Sequence, residues 1–255
     1  MDQGFMTKST FGKLEKYLNQ AENPLIESPY EKVLFEYLGR FETAFPRKQV
    51  PGFWFSLSRL FQSQVRSLKQ KSAGLSHQDY YRIAQDKGGL STVLAAYTAL
   101  GPLTKNQYEF FYRSGGIFQV IDDLLDIKKD TNEGVKTVWT ETIKNKKSFA
   151  GPIRELLAME SKIETDLDAM ASDFADPEAF KKVYQFSFKL SLMRGLARQS
   201  QYLDAEAQAL LKNRMSLSMS SLKQMLQPTP QKESNAPPGS DLWFMNQLMQ
   251  MTETY

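Results

Sequence analysis

Apolar residues recur at three- and four-residue intervals along most of the chain, and no stretch alternates apolar and polar positions as a half-buried strand does. The spacing predicts helices over 10–20, 29–44, 53–71, 77–100, 105–129, 135–145, 152–171, 177–199 and 205–226. Ser76, Thr104 and Asp176 stand where helix N-caps belong, and Pro and Gly punctuate most junctions, as in "FPRKQVPG", "SAGLS" and "LGPLT". The fold class expected is all-α, with one helical domain over 1–226. The Pro- and Ser-rich stretch 227–240 reads as a flexible linker, and 241–255 as a short amphipathic helix that docks on the body or on a partner.

Composition then removes several kinds of chemistry. The 255 residues are 41% hydrophobic, enough for a substantial core. A net charge of +3, with its cations spread along the chain, gives no support to nucleic-acid binding. There is no cysteine, which excludes thiol catalysis and disulfides, and the single histidine, His77, argues against histidine triads and multi-histidine zinc sites. Neither a secretory signal nor an apolar run of membrane-spanning length is visible. A cytoplasmic location is expected.

The candidate chemistry lies in "GGIFQVIDDLLDIKKD", residues 115–130. Wound as a helix, Asp122, Asp123, Asp126 and Asp130 fall within about 100° of arc, with Gln119 among them. Phe118, Val120, Ile121, Leu124, Leu125 and Ile127 take the opposite side. Carboxylates crowded in this way repel one another, a cost most readily tolerated where a cation binds. Magnesium takes carboxylate oxygens, keeps several waters and bridges to phosphate, so Asp122 and Asp126 suit a metal–diphosphate complex. Gly115 and Gly116 extend the same face and leave room for a ligand. A merely solvated acidic stripe is the competing reading.

"FQVIDDLLDIKKD" resembles the second aspartate-rich motif of the isoprenyl diphosphate synthases and related class I terpenoid synthases. The likeness runs from about Leu57 to Pro152, through "LSHQDYYRIAQDKGGLSTVLAAYTALG" before the motif and "DTNEGVKTVWTETIKNKKSF" after it. It implies an isoprenoid-synthase helical bundle, Mg2+, and an allylic prenyl diphosphate substrate whose ionisation gives a carbocation. Asp122, Asp123 and Asp126 match the catalytic, metal-binding acids. Lys87 and Gln119 match diphosphate contacts, and Lys136, Lys146 and Lys147 are candidates for the basic residues that follow the motif. Phe118, Phe111 and Tyr81 are expected to line the apolar cavity. A homodimer, or a hetero-oligomer with a synthase subunit, is also implied.

The chain departs from that pattern in two places. "KGG" at 87–89 replaces the family's Lys-Thr. No first aspartate-rich motif precedes the second one; Glu31 and Glu36 with Arg40 are the nearest substitutes on one helix, and the fold is expected to be incomplete at its N-terminus. Two functions follow: a class I synthase carrying out prenyl transfer or terpene cyclisation, and a non-catalytic subunit that partners a complete prenyl diphosphate synthase.

Overall fold

The computed structural model describes residues 8–215, except 21, 73, 172 and 175. Its helices are α1 (Lys8–Gln20), α2 (Pro29–Ala44), α3 (Pro51–Ser67), α4 (His77–Leu100), α5 (Lys105–Leu125), α6 (Ile127–Glu133), α7 (Val138–Lys144), α8 (Ala150–Ala171), α9 (Pro177–Arg198) and α10 (Ala205–Met215), with 3₁₀ turns at Leu68–Lys71 and Ser200–Tyr202. No strand occurs among the described residues, so the all-α expectation holds. The predicted linker, the terminal helix and the last part of the 205–226 helix lie outside the described residues.

Local chemistry accounts for most boundaries. Ser76 and Thr104 form reciprocal capping boxes with Asp79 and Gln107, and Asp176 caps α9 through Ala179. Pro51 occupies the first turn of α3, where its missing N–H costs nothing, so the helix opens two residues earlier than the periodicity suggests. The helix predicted over 135–145 starts only at Val138, because Gly134 ends α6 in the left-handed region and Thr137 caps α7.

The helix predicted over 105–129 is divided at Asp126, which has φ −92° and ψ 8°. Asp126 still donates its N–H to the Asp122 carbonyl at 2.9 Å, and its own carbonyl accepts from Asp130 N at 2.9 Å. The division therefore sits inside the acidic run without interrupting the hydrogen-bond ladder, and Asp126 still presses on its neighbours Asp122 and Asp130.

Two hydrophobic cores hold the bundle. The larger one is organised on α5, whose Ile117, Val120, Ile121 and Leu124 are buried against Ile153, Leu156, Ile163 and Leu167 of α8 and Phe188, Leu192 and Leu196 of α9. Trp139 of α7 joins it and donates its indole N–H to the Val120 carbonyl at 2.8 Å. The smaller core gathers Leu14, Tyr17 and Leu18 of α1, Phe35 and Leu38 of α2, Phe53 and Trp54 of α3, and Val93 and Tyr97 of α4. Arg47 pins it: the guanidinium stacks 3.8 Å from the Trp54 ring and donates to the Leu18 and Tyr17 carbonyls. The α4–α5 pairing between the cores is unusually close. A Cβ at Gly88 would strike the Gly115 carbonyl and Gln119, and one at Gly116 would strike Gln85, so glycines here set the helix separation that positions the acidic face.

Candidate active site

Beside this close seam, α4, α5 and α9 border a shallow, open hollow of about 380 Å³. Gly88, Ser91 and Thr92 form one wall, Gly115, Phe118, Gln119, Asp122 and Leu125 the other, and Ser191 closes the side. Gln119 Nε2 reaches Asp123 Oδ1 at 3.0 Å and Asp122 Oδ2 at 3.4 Å, tying the two acids to one amide. Lys129 lies 3.6 Å from Asp126 Oδ2. The positive field of Lys87 reaches Asp122, Asp123 and Asp130.

Electrostatically the acids are under-compensated. Burial, followed by the charge of Asp126, raises the Asp122 carboxyl above the usual carboxylate range. Asp123 is pushed up to about 7, mainly by burial, with Gln119 and Lys87 opposing. Asp130 is pushed up to about 6 by burial and then by Asp126. Such a cluster resists ionisation until more positive charge arrives. Among the described residues, no group of three acidic or imidazole side chains is gathered closely enough to hold a metal by itself. A hard cation that takes one or two carboxylates and completes its shell with water and phosphate still fits Asp122 and Asp126.

Of the expected site residues, Asp122 and Gln119 line the hollow, Asp123 joins them through the Gln119 amide, Asp126 pairs with Lys129, and Lys87 reaches the acids only through its charge. The basic residues after the motif are engaged or placed elsewhere. Lys136 Nζ donates to the Ser72 carbonyl at 2.6 Å and holds the post-motif loop against the 3₁₀ turn after α3. Lys147 lines a different hollow, beside His77, Tyr80 and Glu155. Lys146 is exposed, with its backbone in the left-handed region (φ 52°). Of the three expected cavity aromatics, only Phe118 lines the hollow; Phe111 packs between the two cores, and Tyr81 packs on the larger core beside Glu155 and Lys162.

Glu31 does not supply an opposing acidic wall. It is buried between α1 and α2, accepting from Thr10 Oγ1, Lys13 Nζ and Glu27 N. Glu36 points to solvent beside Lys32.

One polar cluster near the site carries no aspartate motif. Asp86, immediately before Lys87, is buried and accepts from Arg59 Nη2 at 2.9 Å, Arg66 Nη2 at 2.6 Å and Tyr112 Oη at 2.6 Å. It locks α3 to α4 and α5 and fixes the turn of α4 from which Lys87 projects. Arg59 and Arg66, seven residues apart and so on one helix face, were the sequence signal for it.

The polyprenyl synthetase family model matches residues 50–187, from the first turn of α3 into α9, and so takes in both walls of the hollow. No curated protein and no solved structure matches the chain. Among the described residues, no helix is long and apolar enough to cross a membrane. With more than half of its residues matched, and with the all-helical bundle and acidic α5 just described, the chain belongs to the polyprenyl synthetase family, prenyltransferase-type enzymes of isoprenoid biosynthesis with the isoprenoid-synthase fold.

Proposed function

We propose that the hollow between α4 and α5 binds the diphosphate of an allylic prenyl diphosphate and promotes its departure. The observation that carries this reading is the Gln119-tethered pair Asp122 and Asp123, both raised by burial, with Asp122 and Gln119 lining a small-residue cleft and the charge of Lys87 reaching both acids. Asp122 and Asp126 would hold Mg2+, which when bound supplies positive charge for the leaving diphosphate. Lys87 adds a fixed charge to the same region, and Gln119 holds Asp122 and Asp123 in place through its amide. Phe118, with Ile121 and Leu125, supplies the apolar side of the open hollow, against which an allylic chain would lie.

A second reading is a subunit that works with a complete synthase. It is favoured by the burial of Glu31 in the α1–α2 clamp, which leaves the acids of α5 without an opposing acidic wall among the described residues. Diphosphate held from one side is poorly surrounded as its charge develops. The isolated chain is therefore expected to bind diphosphate with magnesium yet turn over slowly, and a partner chain bearing a second acidic motif to raise the rate. The test is incubation of the purified chain and magnesium with allylic diphosphates of several lengths, with and without isopentenyl diphosphate. Diphosphate release with longer prenyl diphosphates indicates condensation, and release with hydrocarbon products indicates cyclisation. Absence of release under all conditions would remove the enzymatic reading.

A further inference from the structure

Two segments far apart in the sequence meet along one edge of the bundle. Lys136 donates its N–H to the Gln70 carbonyl at 3.0 Å, and Gln70 Nε2 donates to the Lys136 carbonyl at 2.9 Å. Farther along, Leu75 and His77 line one hollow together with Thr142, Asn145, Lys147 and Ser148. The approach to α4 therefore lies beside both ends of α7, and lysines come from each side. Lys69, Lys71, Lys146 and Lys147 are exposed, with no carboxylate at ion-pair distance from them among the described residues. Lys136 Nζ is bonded to the neutral Ser72 carbonyl, which leaves its charge uncompensated. The neighbouring cations Arg66 and Lys144 are held by Asp86 at 2.6 Å and Glu141 at 3.7 Å. Glu133 and Glu155 border the edge, so five lysines against two carboxylates leave a surplus of +3, as much as the net charge of the whole chain.

We propose that this lysine edge docks the protein peripherally on an anionic phospholipid surface. Clustered lysines gain from the negative potential of such a surface within about one Debye length, roughly 8 Å at physiological salt. The edge also carries aliphatic surface. Val65 and Leu68 are 39% and 53% exposed, and with Lys69 they fall on one face at the end of α3, at spacings of three and four residues. Lysine stems and aliphatic side chains enter a headgroup layer while the ammonium groups stay at the phosphates. A nucleic acid would gain from the same charges but would ask for aromatic rings, not Val and Leu, beside them. Along α4 the edge at His77 lies about 15 Å from Lys87, so the docking surface is separate from the candidate active site.

The test is co-sedimentation of the full chain with vesicles of phosphatidylcholine, with and without about one-third phosphatidylserine. It reads binding alone and so stands whether or not the hollow is catalytic. The wild type binds the phosphatidylserine vesicles about tenfold or more tightly than the neutral ones, and loses this preference at about 0.5 M salt, where the Debye length is about 4 Å. Lys69→Glu combined with Lys71→Glu, at two exposed positions, weakens the binding about tenfold or more. Lys16→Glu combined with Lys182→Glu makes the same change of net charge at exposed positions on α1 and α9 and leaves binding within about twofold. Circular dichroism confirms that both variants are folded. Equal binding to the two kinds of vesicle, or equal losses in the two double variants, would overturn the proposal. So would tighter binding of an oligonucleotide than of vesicles, lost in Lys69→Glu with Lys71→Glu, which would assign the edge to nucleic acid.

Discussion

Replacing Asp123 by asparagine should stabilise this protein in metal-free buffer, and do so only above the acid range. Burial pushes the Asp123 carboxyl from its ordinary 3.8 up to about 7. An acid whose folded pKa exceeds its unfolded value holds its proton more tightly when folded, so its penalty is absent below about pH 4, grows as pH rises through 4–7 and is complete above 7. The gap corresponds to about 4 kcal/mol in full, and solvent reaching the half-buried carboxylate reduces this to about 2 kcal/mol. The asparagine side chain keeps the oxygen that accepts from Gln119 Nε2, so the exchange removes charge without orphaning that donor. Thermal unfolding in EDTA at pH 8 should show a Tm about 4–8 °C above wild type, shrinking to almost nothing at pH 4. Equal gains at both pH values would mean that packing, not charge, explains the effect. A loss at pH 8 would refute the claim that these acids are under-compensated in the absence of a cation.

Asp86→Asn should destabilise by about 2–3 kcal/mol, since it leaves Arg59 and Arg66 without their carboxylate at a partly buried site; urea denaturation read by circular dichroism measures it. Gly88→Ala drives a methyl into the Gly115 carbonyl and Gln119, and should cost about 2–3 kcal/mol in the same assay while weakening magnesium-dependent diphosphate binding. Leu124→Ala, fully buried in the larger core, should cost about 3–4 kcal/mol by the same measurement and serves as a reference for purely structural damage.

Much of this architecture is legible in the sequence because helix formation leaves a local record. The apolar repeat and the caps at Ser76, Thr104 and Asp176 act within a few residues or on one face, whereas Gly115 and Gly116, expected to leave room for a ligand, are buried against Thr92 and Gln85 of α4 and serve the close helix seam instead. The division of the helix at Asp126 is not recorded in the local pattern, because the apolar period runs through it. Long-range pairing is harder still. That Glu31 serves a clamp with Lys13, and that Asp86 collects two arginines and a tyrosine, depends on which helices meet, which no single-helix pattern specifies. The same holds for Lys136, whose ammonium is taken by the Ser72 carbonyl after the chain folds back on the turn following α3.

The role proposed for the acids of α5 is to hold a metal–diphosphate complex. Calorimetric titration of the full chain with inorganic diphosphate, with and without magnesium, tests it most directly when wild type is compared with Asp122→Asn. Binding to wild type is expected only when magnesium is present, weakened by about tenfold or more in Asp122→Asn, with helix content unchanged because the carboxylate lies on a face opposite the core. Binding of equal strength to both proteins, or no binding to wild type at millimolar magnesium and diphosphate, would contradict it.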